Sequence, residues 1–194
     1  EHSKRGFAEA VYDKLQNLPD GKQQKVGEVK LEKPIEVLFE GADEDVYKPL
    51  KDVSLNLVDD IKEDFCYLFV GQWTKGGFGE DRKDIGRLLK VFYETYANKK
   101  NAPALILKTS GATYSILDNT DIKNKINNIK SKFPKDFTLP NVYLLHGSLS
   151  QEEMNKLYNH PKVKCMVSLT HGEGFGRPLL EASMTGLPIM ASGW

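Results

Sequence analysis

From residue 66 onward, short continuous runs of apolar residues alternate with segments of helical periodicity. The runs are CYLFV (66–70), ALILK (104–108), NVYLL (141–145), CMVSL (165–169) and PIMAS (188–192). Runs without a polar face are typical of strands covered on both sides, which form parallel sheets. The intervening segments repeat their apolar residues at helical spacing, at Ile85, Leu88, Leu89, Phe92 and Tyr96, then Ile122, Ile126, Ile129 and Phe133, then Met154, Leu157 and Tyr158, then Leu179, Leu180 and Ala182. This alternation predicts an α/β fold, a Rossmann-like doubly wound parallel sheet flanked by helices.

A sheet of this kind binds ligands in a crevice beyond the carboxyl ends of its strands. We therefore expect the functional residues in the loops that follow residues 70, 108, 145 and 169.

The first part of the chain fits this pattern less well. Its sequence predicts a helix through Phe7, Val11 and Leu15, a polar stretch at 19–34 and one strand at 35–39. We interpret residues 1–60 as a segment that leads into a domain formed by residues 61–194.

Composition and charge exclude several classes of protein. The 194 residues are 40% hydrophobic, enough to fill a core, and 27 basic residues balance 27 acidic ones. No overall field therefore attracts nucleic acid or an anionic membrane. No apolar stretch approaches the ~20 residues of a membrane span, the first residues lack the apolar core of a signal peptide, and both cysteines lie in apolar runs. These features predict a cytoplasmic protein with reduced, buried thiols.

The segment HGEGFGRPLLEASMTGLPIMAS (171–192) carries the most specific pattern. Three alternate glycines follow a strand, and Pro178 stands where the first turn of a helix favours proline. A glycine loop at a helix amino terminus presents free N–H groups to a phosphate. Glu173 and Glu181 flank this site, and because carboxylates repel an anion, we expect them to hold hydroxyl groups.

Other readings of the same glycines are weaker. A dinucleotide-binding fingerprint fails because Arg177 stands at the third glycine position, and a protein-kinase loop would be followed by a strand. A tight structural turn with a surface glutamate stays an alternative.

The segment resembles the signature of group 1 (family 4-like) retaining glycosyltransferases, which have the GT-B fold. The matching features are Glu173 and Glu181, with seven residues between them, and the surrounding glycines. The resemblance implies that Glu173 and the backbone of Gly174, Phe175 and Gly176 hold the sugar of a nucleotide-sugar donor. It implies that Glu181 holds the ribose.

The resemblance extends to residues 67–92, which look like the first strand, loop and helix of the family's carboxyl-terminal domain. It implies that Lys83, with Arg82 as a substitute, binds the donor diphosphate near Gly71; both could instead be solvated charges. Gln72 departs from the family, since many members have an arginine there, and a neutral amide cannot replace that charge.

A second loop, which begins at His146, resembles the family's nucleobase loop. Backbone groups from His146 to Leu149 would then meet the base, with His146 itself structural, whereas His171 beside the glycine loop could touch the donor.

Taken together, the resemblance implies transfer of a sugar from a nucleoside-diphosphate sugar to an acceptor hydroxyl, with no metal ion and no cofactor. Residues 1–60 would then be a remnant of the amino-terminal domain, and the acceptor-binding domain would be missing from this chain.

The rival hypothesis is a non-catalytic nucleotide-sugar binding module, or a half-enzyme completed by a partner chain. An exposed apolar patch at residues 7–15 and 35–39 would favour that rival. A phosphorylase or epimerase with the same architecture is a weaker third possibility.

Overall fold

A computed structural model describes residues 2–38, 40–74 and 79–193. The chain divides into two compact units, Glu1–Gly41 and Ala42–Trp194. Residues 42–60, which the sequence interpretation grouped with the first segment, thus belong to the second unit. Within the described ranges, no helix is both long and apolar enough to cross a membrane.

The first unit is a short helix followed by a β-hairpin. Helix α1 spans His2–Glu9, and strands β1 (Val11–Asn17) and β2 (Gln23–Lys30) pair in antiparallel fashion. Gly21, in the left-handed conformation, closes the turn between the strands, and its N–H donates to the carbonyl of Leu18 at 3.0 Å. The predicted helix through Phe7, Val11 and Leu15 is therefore wrong beyond Glu9, and the polar stretch at 19–34 contains an unpredicted strand.

The strand predicted at 35–39 is also wrong over residues 35–38, where the backbone is irregular; residue 39 lies outside the described residues. A strand needs a neighbouring edge to satisfy its N–H and C=O groups. Leu38 does not pack against a core, since it is 97% exposed.

The second unit contains the predicted alternation of strands and helices. A one-turn helix α2 (Asn56–Asp59) precedes strand β3 (Cys66–Gln72), helix α3 (Ile85–Tyr96), strand β4 (Ala104–Ser110), helix α4 (Ile116–Lys130), strand β5 (Val142–Leu145), helix α5 (Gln151–Asn159), strand β6 (Val163–Ser168), helix α6 (Arg177–Met184) and strand β7 (Ile189–Ala191). The five strands from β3 to β7 are parallel and lie in the order β5-β4-β3-β6-β7. The predicted fold class is confirmed.

Each face of this sheet is covered by its own layer of helices. Alternate strand residues such as Leu68 and Ile106 pack with Leu157 of α5 and Ala182 of α6 in one hydrophobic cluster. Their neighbours pack on the other face in a second cluster with α3 and α4. Burial on both faces is the reason why the strand sequences are apolar at successive positions.

The strand order reverses its direction at β3. The chain moves outward from β3 through β4 to β5, and returns to the other side of β3 with β6 and β7. In a doubly wound sheet, this switch point opens a crevice between the loops that follow the two central strands. The loops after β3 and β6 therefore form the candidate site.

Candidate functional site

Backbone hydrogen bonds tie the loops after β3 and β6 together. The N–H of His171 donates to the carbonyl of Arg82 at 2.9 Å, and the hydroxyl of Thr170 reaches the same carbonyl at 3.3 Å. The Thr170 hydroxyl also donates to the carbonyl of Gly172 at 2.9 Å. These contacts hold the glycine loop against the segment that carries Arg82 and Lys83.

Glu173 forms an ion-pair cluster with both basic residues. One carboxylate oxygen pairs with Lys83 Nζ, and the other lies 3.1 Å from Arg82 Nη1. The side chains of Lys83 and Glu173 are only 11% and 15% exposed, whereas Arg82 is largely exposed. Burial alone would raise the pKa of Glu173, but the two cations outweigh it and hold that pKa below its ordinary value. Glu173 is therefore an ionised carboxylate facing two cations.

Lys83 reaches this cluster across the backbone of Gly71. A Cβ added at Gly71 would lie 3.3 Å from Cε of Lys83 and 3.0 Å from Cζ of Phe69. Helix α3 begins at Ile85, so Lys83 lies in the loop just before the helix and not in its first turn. The sequence resemblance thus named two residues, Gly71 and Lys83, that the fold brings together.

Asp84 joins His171 to this region and was not singled out by the sequence. It is buried, its backbone is left-handed (φ 49°), and one carboxylate oxygen lies 3.1 Å from His171 Nε2 and 2.9 Å from Arg87 Nε. The half-exposed imidazole of His171 is thereby anchored at the rim of the crevice. An aspartate just before a predicted helix was the available signal, but it also fits an ordinary helix cap.

Glu181 lies in a separate cluster on α6. The helix starts at Arg177, after Gly176 with φ 82°, so Glu181 lies about one turn into the helix. Its carboxylate accepts hydrogen bonds from Arg177 Nε at 3.0 Å and from the Tyr158 hydroxyl at 3.3 Å. Glu181 is largely buried, so only a small part of its surface is accessible to a ligand.

Gly174, Phe175 and Gly176 of the glycine loop differ in what they contribute to the site. Gly174 has open space where a side chain would be, and the ring of Phe175 is partly exposed. Gly176 provides the left-handed residue from which α6 begins. The positive end of that helix faces the loop, which is the arrangement that favours a phosphate.

A cavity of about 230 Å³ opens at the carboxyl ends of β3 and β4. Residues predicted from the sequence, among them Gly71, Gln72 and Leu149, form part of its lining. The rest of its lining is provided by Val70, Lys108, Thr109, Ser110, Tyr114, Ser148 and Met154. The wall is therefore partly apolar, partly aromatic and partly hydrogen-bonding, as in a small-molecule site.

His146 supports this cavity without lining it. Its Nε2 lies 2.8 Å from Asp118, whose carboxylate also accepts the N–H groups of Gly111 and Ala112. Burial alone would raise the pKa of Asp118, but these hydrogen bonds outweigh it and lower the pKa. The imidazole meets the Tyr114 ring edge to face, with 5.9 Å between centroids. His146 therefore positions Tyr114.

Lys108 and Tyr114 are two residues of this cavity that sequence reasoning missed. Lys108 ends an apolar run and was assigned only to a strand, and Tyr114 follows a glycine in a loop. A larger cavity, of about 630 Å³, lies at the amino ends of β3 and β4 and contains none of the predicted residues. Across the described ranges, no three His, Cys, Asp or Glu side chains come together as a metal site.

Comparisons with known proteins agree with this architecture. No protein-family model and no curated protein matches the sequence. Among solved structures, the chain is similar to the C-terminal domain of a glycosyl transferase group 1 family protein (LpcC) from Francisella tularensis. The match has a TM-score of 0.55 at 16% identity and covers 78% of this chain and 70% of that one. At this identity the similarity shows a shared fold, one Rossmann-like half of a GT-B architecture.

Proposed function

We propose that this chain is the donor-binding part of a retaining glycosyltransferase, which transfers a sugar from a nucleoside-diphosphate sugar to an acceptor hydroxyl. The observation that carries the proposal is the Lys83–Glu173–Arg82 cluster at the switch point of the sheet, next to the cavity that contains Gly71, Gln72 and Leu149. The glycosyltransferase fold of the structural neighbour supports it.

In this proposal the donor diphosphate binds Lys83 and the amino terminus of α6. Two cations face the single carboxylate of Glu173, so the cluster can accept a further anion. As the bond between sugar and diphosphate breaks, negative charge grows on the leaving group, and Lys83 stabilises it in a partly buried site. No metal ion and no cofactor is required.

The two glutamates hold hydroxyl groups of the donor, Glu173 those of the sugar and Glu181 those of the ribose. Glu173 is fixed by its own ion pairs, and Glu181 by Tyr158 and Arg177. A carboxylate that is held in one orientation can select a sugar hydroxyl geometrically. Gln72 contributes an uncharged amide, and Arg82, which pairs with the other carboxylate oxygen of Glu173, supplies the second positive charge.

A second candidate, a half-enzyme completed by a partner chain, is favoured by one observation. The apolar side chains of Phe7, Val11, Tyr12 and Leu15 are all exposed, as is Leu38. Exposed apolar side chains concentrated in one segment of a chain are typical of a surface that binds another protein or domain. The acceptor would then be bound by residues outside this chain. Sedimentation of the chain with and without Phe7→Ser and Tyr12→Ser tests whether the partner is a second copy of this chain: self-association that both variants abolish supports such a partner, and a monomer in every case contradicts it.

Calorimetric titration with nucleoside diphosphates tests the donor site. We expect at least one of UDP, GDP and ADP to bind, and Lys83→Ala and Glu181→Ala to weaken that binding about 10-fold or more, because each removes a charged contact. Lys90→Ala is the matched control, since Lys90 is an exposed lysine on α3 that pairs with Glu94. Failure of all three nucleotides to bind, or equal effects of Lys83→Ala and Lys90→Ala, would contradict the proposal.

A further inference from the structure

Lys108 is a buried lysine whose only described acceptor is a backbone carbonyl. It lies in β4, lines the cavity and is 9% exposed. Nζ donates to the carbonyl of Gly147 at 2.5 Å and lies 5.6 Å from the centre of the Tyr114 ring. Among the described residues, no carboxylate forms an ion pair with it. Burial lowers the pKa of Lys108, in keeping with a cation that lacks a counter-charge.

Such a group is costly to bury, and a ligand that accepts hydrogen bonds would reduce the cost. An ammonium has three donors and no acceptor, and Gly147 takes one of the three. The remaining capacity is available to the cavity that Lys108 lines. A buried donor that stays unpaired costs about 1–3 kcal/mol, and more when it is charged.

The register of the sheet places Lys108 on the side of the proposed ribose site. Lys108 pairs with Val70 of the neighbouring strand. Ile106, two positions before Lys108, and Leu68, two positions before Val70, both belong to the hydrophobic cluster that packs against α5 and α6. Side chains two apart on a strand share a face. Glu181 belongs to that face, because it is bonded to Tyr158 of the same cluster. If Glu181 holds the ribose, as proposed above, the base extends towards the cavity with Lys108.

The other walls of the cavity suit a planar ring. Val70, Leu149 and Met154 provide apolar surface, and the ring of Tyr114 is an aromatic one. Ser110 and Ser148 add hydroxyl groups, which can donate or accept. Among the described residues of this lining, Lys108 is therefore the only one whose whole side chain can donate and cannot accept.

We propose that Lys108 selects a donor base with an exocyclic oxygen, a 6-oxo purine or a 4-oxo pyrimidine, over one with an amino group at that position. The oxygen accepts a hydrogen bond from the ammonium. An amino group is itself a donor, so adenine or cytosine would leave the ammonium unpaired against another donor. A site built to pair with one polar group rejects the analogue that lacks it.

Pairs of nucleotides that differ at this one position test the inference. Titrations of the whole chain would compare inosine diphosphate with ADP and UDP with CDP. We expect the oxo member of at least one pair to bind 10-fold or more tighter than its amino counterpart. Lys108→Met should reduce that ratio to near one, mainly by weakening the oxo member. Lys125→Met is the matched control, since Lys125 also donates to a backbone carbonyl, of Trp73, and lies over its ring, but does not line the cavity.

The outcomes separate this inference from the function on which it rests. Equal binding of the oxo and amino members by the unmodified chain overturns the role of Lys108 and leaves the donor site intact. Equal weakening of all four nucleotides by Lys108→Met also overturns it, since that would indicate a contact to the phosphates. Binding of none of the four overturns the proposed function itself. The comparison in the unmodified chain can overturn the inference even if a variant does not fold.

Discussion

At the scale of single residues, Gly111 is the described glycine at which an added side chain would make the closest contact. Its N–H donates to both carboxylate oxygens of Asp118, at 3.1 and 2.9 Å, and an added Cβ would overlap one of them. We predict that Gly111→Ala lowers the free energy of unfolding by about 1–3 kcal/mol, because Asp118 must move away from its partners. Urea unfolding measures this. Gly172→Ala is the control, since a Cβ there meets open space, and a similar loss in both variants would contradict the explanation.

Single residues also show what the sequence could and could not predict. Lys83 and Glu173, 90 positions apart, were both selected from motifs, and they form an ion pair. Lys108 and Asp84 were not selected, because a strand lysine and an aspartate before a helix fit ordinary structural roles. What distinguishes them is burial without enough partners: one oxygen of Asp84 has no described partner, and Lys108 has no carboxylate. That property depends on residues distant in sequence.

At the scale of elements, helix α5 begins with a complete capping box. The Ser150 hydroxyl accepts the N–H of Glu153 at 3.2 Å, and the Glu153 carboxylate accepts the N–H of Ser150 at 2.7 Å. We predict that Ser150→Ala destabilises the protein by about 0.5–2 kcal/mol, since a helix-terminal N–H loses its partner. Thermal and urea unfolding test this against Ser183→Ala, whose exposed hydroxyl only donates to a carbonyl of its own helix. No difference between the two variants would show that the cap contributes little.

The hairpin shows why one pattern of spacing can mislead. Val11 and Leu15 are four residues apart, and that spacing shares a face in a helix and in a strand alike. The helix was predicted because Phe7 continues the same four-residue spacing. In the structure, however, Phe7 lies in α1, whereas Val11 and Leu15 lie in β1. From residue 66 onward the apolar runs are longer and are separated by helical repeats, so the two periods are distinct and the predicted strands were confirmed.

At the scale of the whole molecule, the hydrophobic core belongs entirely to the second unit. Both hydrophobic clusters are formed by residues from Ala42 onward. In the hairpin, by contrast, every residue of β1 is exposed, and so is every residue of β2 except Gly27. An isolated two-stranded hairpin is at best marginally stable in water. The free energy of folding must therefore come mainly from residues 42–194.

This division predicts that residues 42–194 fold and bind nucleotide without the first unit. The truncated chain should unfold in one cooperative transition, and its affinity for the nucleotide that the whole chain prefers should be unchanged, because Lys83, Glu173, Glu181 and Lys108 all belong to the second unit. A saturating nucleotide should raise the melting temperature of both chains to a similar extent, as expected when ligand binds only the folded state. Loss of cooperative unfolding on truncation would show that the first unit contributes to the core, and loss of nucleotide affinity with folding intact would show that it contributes to the donor site.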